Sequence, residues 1–296
     1  MTNEASTRQY FRSSLKQMPG ITALLRTSWW KILRHRLTLA LSHRQNCHFT
    51  CFLRLPTQFE ALSGPVLDFL LEGRSAKSLK ITVMGCSTGA EAYSIASVLR
   101  QRHPDLVFTV HAYDIDAECI KKAESGRYTT QEVFNTDLSG KTTTTADFVR
   151  ATFDVEDDSY LVKSEVRKHV QFGLADALNP NLGEQIGTSD IVYAQHVLIH
   201  LDSQNANRAF EGLCHLLNPK AALFVAGMDL HILQKQTRQR HLIPLQYKIR
   251  EVYGEVNAYS GGWPWNYKAL EPFMTVRKDW QRRYATIFLK NAGQMG

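Results

Sequence analysis

The chain has 296 residues, 44% hydrophobic and 21% charged, an ordinary globular composition with length for one large domain plus additions. Its apolar stretches, such as Ile81 to Met84 and Phe108 to Val110, are strand-sized and fall far short of the roughly 20 residues that cross a bilayer. The formal charge of +7 resides in residues 1–50, where eight Lys/Arg face Glu4 alone, leaving 27 basic and 27 acidic residues to cancel over the remainder.

In chain order, residues 8–45 read as two helices broken at Pro19-Gly20, because Ile21, Leu24, Leu25, Trp29, Ile32 and Leu33 recur at helical spacing. Residues 1–50 are therefore expected to form a basic helical domain that attracts an acidic protein partner, anionic lipid or nucleic acid. Five cysteines, odd in number and scattered, argue for a reducing compartment, and the cytoplasm is the expected location. His43, Cys47, His48 and Cys51 match no standard ligand spacing, so no metal is expected.

From residue 58 a helix carrying Phe59, Leu62, Val66, Leu67, Leu70 and Leu71, stopped by Gly73, leads into alternating strands and helices. Strands are predicted near 79–84, 107–113, 169–174, 189–194 and 221–227. Helices are predicted at 89–102, 116–125 and 203–217, ended by Pro104, Gly126 and Pro219. The fold class is α/β, a doubly wound Rossmann-like sheet within a domain spanning 51–296. Two segments break the alternation: Thr-rich 127–168, and 231–283, which holds Trp263, Trp265, Trp280, Tyr247, Tyr253, Tyr259 and Tyr267. A last strand is expected over Tyr284 to Lys290.

In such a sheet the ligand sits beyond the carboxyl ends of the strands, and the first turn, Gly85-Cys-Ser-Thr-Gly89, is where backbone approaches it. The next helix opens with Ala90-Glu91 in place of Lys-Ser/Thr, and a carboxylate there repels a pyrophosphate. A cationic or zwitterionic ligand such as S-adenosylmethionine fits better, with Glu91 facing its charged end. Asp114, closing the second strand, can accept both ribose hydroxyls, and Asp176, after the next, can read an adenine amino group.

Gly85-Cys-Ser-Thr-Gly-Ala-Glu-Ala-Tyr-Ser-Ile-Ala96 resembles the signature of the CheR chemotaxis methyltransferases, which convert receptor glutamates to methyl esters. Phe49-Thr-Cys-Phe-Leu-Arg54 resembles the family's Thr-x-Phe-Phe-Arg, and Tyr113-Asp-Ile-Asp116, Ala123 to Tyr128, Tyr160 to Phe172 and Asp190 to Leu201 follow in family order. The resemblance implies a methyltransferase sheet that holds S-adenosylmethionine, releases S-adenosylhomocysteine, and carries a basic helical N-terminal domain and a small inserted β subdomain over 127–168. It assigns cofactor contacts to Thr50, Arg54, Gly85, Ser87, Gly89, Glu91, Asp114, Asp176, Ala177, Gln195 and His196.

The departures fall on the acceptor side. The family's paired acids become Ala90-Glu91, its Asn-Leu becomes Asp176-Ala177, its Arg-Asn becomes Gln195-His196, its Tyr becomes His200, and its Gly-His-Ser-Glu becomes Gly227-Met-Asp-Leu230. Methyl transfer from a sulfonium is an in-line displacement, so an ionised carboxylate needs no base and Arg54 suffices to hold it. A hydroxyl or amine must lose a proton, for which His196 or His200 is the candidate. The expected acceptor is a small molecule or a non-receptor protein, with receptor glutamates as the alternative and a non-catalytic S-adenosylmethionine sensor as a further one. Nucleic acid is not the expected acceptor, since no Asn/Asp-Pro-Pro-Tyr tetrad is present. Segment 231–283 is expected to form an aromatic pocket or lid, or else a cover over the sheet.

Overall fold

The computed structural model describes residues 50–74, 78–135, 142–258 and 273–291. The basic segment before Thr50, and Tyr259, Trp263, Trp265 and Tyr267 of the aromatic segment, lie outside the described residues.

The strands are β1 (Ser78–Met84), β2 (Val107–Asp114), β3 (Arg127–Thr129), β4 (Phe153–Glu156), β5 (Ser159–Val162), β6 (Val170–Leu174), β7 (Ser189–Gln195), β8 (Leu217–Ala226), β9 (Ile243–Pro244) and β10 (Ile287–Lys290). Among the described residues, seven of them form one sheet in the order β6-β2-β1-β7-β8-β10-β9. β6, β2, β1, β7 and β8 run parallel, whereas β10 and β9 are antiparallel to their neighbours. Every residue of β7 is buried, as a central strand covered on both faces requires, and its Ser-Asp-Ile-Val-Tyr-Ala-Gln sequence accordingly does not alternate. The chain winds outward through β2 and β6 on one side of β1 and through β7 and β8 on the other. The β1/β7 boundary is therefore the switch point where a crevice opens.

The helix Ala90–Arg102 is buried from Ala92 through Leu99 because it is covered from two sides, and its low amphipathicity in sequence reflects that. Asp116 caps the helix Ala117–Ser125 by accepting from the amides of Glu118 and Cys119, and Gly126 ends it in the left-handed region. The expected strands and helices of the central sheet stand within a few residues of their predicted bounds. Within 127–168, β3, β5 and β4 form a separate antiparallel sheet. Phe52 wedges into its root, with ring centroids 4.9 Å from Tyr128 and 5.1 Å from Phe153.

Three elements differ from the sequence expectation. The helix over 58–73 is three pieces, Pro56–Ala61, a wider-wound turn Leu62–Val66 and Leu67–Leu71, because Pro65 has no amide to donate and Gly64 leaves helical geometry. Tyr284 belongs to a short helix, Trp280–Tyr284, so the last strand starts only at Ile287. The segment 231–283 supplies helices Leu230–Gln239 and Ile249–Ala258 and also the edge strand β9, which pairs with Phe288 and Leu289. Pro244 is tolerated there because an edge strand has a side with no ladder to complete.

Gly85 leaves β1 with φ +69°, and a Cβ on it would stand 2.3 Å from Val197 Cγ2. Gly183 has open space around its Cα within the helix Leu182–Ile186. Urea unfolding should show Gly85→Ala losing about 2–4 kcal/mol from left-handed strain plus overpacking. Gly183→Ala should be neutral or gain up to about 1 kcal/mol.

Candidate active site

The turn after β1 is held from below by β2. The amides of Gly85 and Cys86 both donate to the Tyr113 carbonyl at 2.7 and 3.0 Å, and the Ser87 amide, presented by a φ of +49°, donates to Asp114 Oδ2 at 2.7 Å. Asp116 N–H donates to Asp114 Oδ1 at 3.0 Å. Both oxygens of this buried carboxylate are thus fixed, and each keeps a lone pair for one further donor. Gly89 opens the helix Ala90–Arg102 at φ +89°, and a Cβ on it would lie 2.9 Å from Ala123 Cβ and 3.0 Å from Phe172 Cζ. Tyr128 OH donates to the Thr88 carbonyl at 2.5 Å and Tyr93 OH to the Ala123 carbonyl at 2.9 Å. Beside this turn, Ala175 N–H donates to the Asp114 carbonyl, which brings Asp176 and Ala177 to the same end of the sheet. Asp176 accepts from the Leu178 amide at 2.9 Å, an arrangement that fixes one oxygen.

The end of β7 supplies the other wall. His196 takes a φ of +57° while its amide donates to the Ala226 carbonyl at 2.8 Å. Gly227 is required opposite it, since a Cβ there would stand 2.9 Å from both His196 Cα and Nδ1. Gln195 is buried and its Nε2 donates to Gln58 Oε1 at 2.9 Å, while Gln58 Nε2 donates to Thr286 Oγ1 at 2.7 Å. Among the described residues, Gln195 Oε1, His196 Nε2 and the Tyr193 hydroxyl are buried polar atoms with no hydrogen-bond partner. Buried polar atoms are satisfied in nearly all folded proteins, and three together at the sheet's switch point mark a surface completed by a ligand.

Charge organises the space between these walls. The Glu91 carboxyl is raised to about 7 by burial, with Arg54 nearby pulling it back. His196 is held well below its ordinary value by burial first, then by the Arg54 cation and by His200, so its ring is neutral at physiological pH. Arg54, Glu91, His196 and His200 thus share one electrostatic environment. His200 sits partly exposed on the short turn Leu198–His200. Thr50 stands at the partly exposed start of the same segment, before the buried Cys51 and Phe52. Sequence reasoning missed Gln58, Thr286 and Tyr193, which contribute through contacts distant along the chain or through a core position that reads as strand. Among the described residues no group of three His, Cys, Asp or Glu is placed to hold a metal ion, and no helix is long and apolar enough to cross a membrane.

This donor set fits S-adenosylmethionine. A paired-amide carboxylate at the end of β2 suits vicinal hydroxyls, and a half-neutral buried Glu91 is stabilised as the anion by a cation. Residues 48–248 match the family model described as CheR methyltransferase, SAM binding domain. A protein of Pseudomonas aeruginosa named probable biofilm formation methyltransferase WspC is 28% identical over 202 residues, covering 68% of this chain and 46% of that protein. Chemotaxis protein methyltransferase 2 of Vibrio cholerae is 30% identical over 183 residues, 61% of each chain. A Listeria monocytogenes chemotaxis protein methyltransferase is 26% identical over 182 residues, covering 60% of this chain and 63% of that one. The chain thus spans about half the length of the Pseudomonas relative and three fifths of the Vibrio one.

A carboxyl whose folded value is raised to about 7 from 4.5 favours the protonated form. Its stabilising share is complete below about 4.5 and is lost as pH climbs through about 7. Gln at this position does not titrate. Urea unfolding of the ligand-free protein should therefore show Glu91→Gln gaining stability over the natural chain between pH 5 and pH 8, on the order of 2 kcal/mol.

Proposed function

The chain belongs to the CheR family of S-adenosylmethionine-dependent methyltransferases, and we propose that it methylates a carboxylate, most directly a Glu or Asp side chain of an acidic protein segment, to give a methyl ester. What supports this reading is His196, held at φ +57° with its buried Nε2 lacking a hydrogen-bond partner among the described residues, and with burial and Arg54 both opposing its protonation. A histidine whose protonation is opposed by burial and by Arg54 is a poor proton acceptor, so the pocket favours an acceptor that arrives already ionised. Arg54 supplies the complementary charge for such an acceptor.

When bound, S-adenosylmethionine supplies an electrophilic methyl on a sulfonium and leaves as S-adenosylhomocysteine. In this reading Asp114 accepts the ribose hydroxyls with the lone pairs left over from Ser87 and Asp116. Asp176 and Ala177 border the adenine, while Gly85, Ser87, Gly89 and Thr50 line the approach of the cofactor's amino-acid part. Glu91 ionises against the cofactor's cationic end, and Gln195 Oε1 and His196 Nε2 offer acceptors to its ammonium. Arg54 would hold the acceptor carboxylate, which arrives ionised and so needs no base. The +7 charge of residues 1–50 favours an acidic protein over a neutral small molecule as the carrier of that carboxylate.

Incubation with S-adenosylmethionine carrying a radioactive methyl group and acidic protein acceptors, chemoreceptor cytoplasmic fragments among them, tests this directly. Incorporated label should be released as methanol by mild base. Arg54→Ala should lower kcat/KM for the acceptor roughly 10²-fold, with S-adenosylhomocysteine affinity changing far less. Base-stable label would contradict the ester and favour His200 as a base for a hydroxyl or amine. If label is base-labile, His200→Phe should retain turnover.

A further inference from the structure

Arg54 leads directly into the helix Pro56–Ala61, whose cap position, Leu55, has no side-chain oxygen to give. The missing acceptor comes from 198 residues downstream. Glu255, on the helix Ile249–Ala258, accepts from the Thr57 amide through Oε2 at 3.1 Å and Oε1 at 3.2 Å, and from Thr57 Oγ1 at 2.5 Å. Val256, the next residue, packs with Leu55 and with Ala226, the last residue of β8. An ion pair at 2.6 Å, Lys248 with Glu60, ties the residue before the helix Ile249–Ala258 to the same Pro56–Ala61 helix. On the other side of Arg54, Leu53, strained at φ +48°, donates its amide to Ser94 Oγ of the helix Ala90–Arg102 at 3.1 Å. Arg54 is thus suspended between two anchors, one on the helix that bears Glu91 and one on Glu255. The family match ends at residue 248, so this second anchor lies outside it.

We propose that Glu255 is a positioning residue for Arg54: its carboxylate, by holding Thr57, sets where the Arg54 guanidinium stands relative to Glu91 and to the methyl acceptor. Among the described residues, the groups facing Glu255 are Thr57, Glu60 and Lys248. Burial raises its carboxyl, opposed by the two Thr57 hydrogen bonds, as befits a group held for its contacts at a desolvation cost. A helix start is stabilised by a carboxylate acceptor through both the hydrogen bond and the helix dipole, and losing such a cap typically costs about 1 kcal/mol. That is enough to let the start of a one-and-a-half-turn helix fray and Arg54 drift, but not to unfold the domain. The acceptor half of this inference rests on the ester-forming reading above; the placement of Arg54 against Glu91 does not.

The test uses the full chain and two separable readouts. The first needs no acceptor: the Glu91 side chain is titrated by carbon-13 NMR, its signal assigned by its loss in Glu91→Gln. With Arg54 withdrawn, Glu91 loses its nearby cation, so Glu255→Ala should raise the Glu91 midpoint towards that of Arg54→Ala. Glu255→Gln, which keeps an acceptor oxygen for Thr57 and is the variant to rely on if Glu255→Ala folds poorly, should fall between. An unmoved midpoint in both Glu255 variants, or in Arg54→Ala, overturns the proposal. The second readout is acceptor kinetics, where Glu255→Ala should raise KM for the carboxylate acceptor about tenfold and leave S-adenosylhomocysteine affinity within about twofold, with Glu255→Gln partly restoring KM. A cofactor affinity lost in step with KM would reduce Glu255 to general scaffolding. Absence of ester formation by the natural chain would sink the ester-forming reading while leaving the Glu91 titration to decide the placement.

Discussion

The site depends on one hydrogen bond, from the Ser87 amide to the Asp114 carboxylate. For it to form, the chain must leave β1 in the left-handed region at Gly85 and return to it at Ser87 and again at Gly89 before a helix can begin. Such a turn has little stability of its own, because a non-glycine residue at positive φ is disfavoured. The surrounding structure therefore has to over-determine it. Tyr113, Tyr128, Ala123 and Phe172 do so from β2, the inserted sheet, the helix Ala117–Ser125 and β6. This gives a physical account of why Ala123 to Tyr128 recurs as a unit in the resemblance. Ala123 is small enough to sit against Gly89, Gly126 ends the helix with a left-handed residue, and Tyr128 reaches the Thr88 carbonyl. A segment that looks remote from the cofactor turn in sequence is its buttress.

Electrostatics sets the two halves of the crevice apart. Around the turn, Asp114 has two amides on its oxygens and is stabilised by them. Among the described residues Glu91 has no such amide partners, and burial leaves it near a half-protonated state at neutral pH. Towards β7, burial first and then the Arg54 cation and His200 suppress protonation of His196. A pocket of this kind suits a cationic ligand on the Glu91 side. Gln195 and His196 leave acceptor atoms unpartnered among the described residues where the family carries an Arg-Asn pair.

Much of this was legible in the sequence because its causes are local. Continuous apolar runs gave the central strands, Asp116 and Gly126 bounded one helix, and the Gly85–Gly89 turn followed by Glu91 pointed to a cationic ligand. What was not legible arises from contacts across the chain. Gln58 reads as one polar residue on a helix, yet it joins Gln195 to Thr286 across separations of 137 and 228 residues. β9 is two residues long and contains Pro244, so neither length nor composition announces a strand; it exists because β10 offers it an edge. The apolar spacing from Phe59 to Leu71 reads as one helix, yet Gly64 and Pro65 divide it into three pieces around a wider-wound turn.

The central claim is that Glu91 meets the cofactor's positive charge in the turn built on Ser87 and Asp114, and proton counting tests it most directly. Calorimetric titration of S-adenosylmethionine at pH 7, in buffers of different ionisation enthalpy, measures protons released on binding. The account predicts a release of about half a proton from the natural chain, as a carboxyl of about 7 is driven to its anion, and its loss in Glu91→Gln. Equal proton release by the two proteins would contradict it.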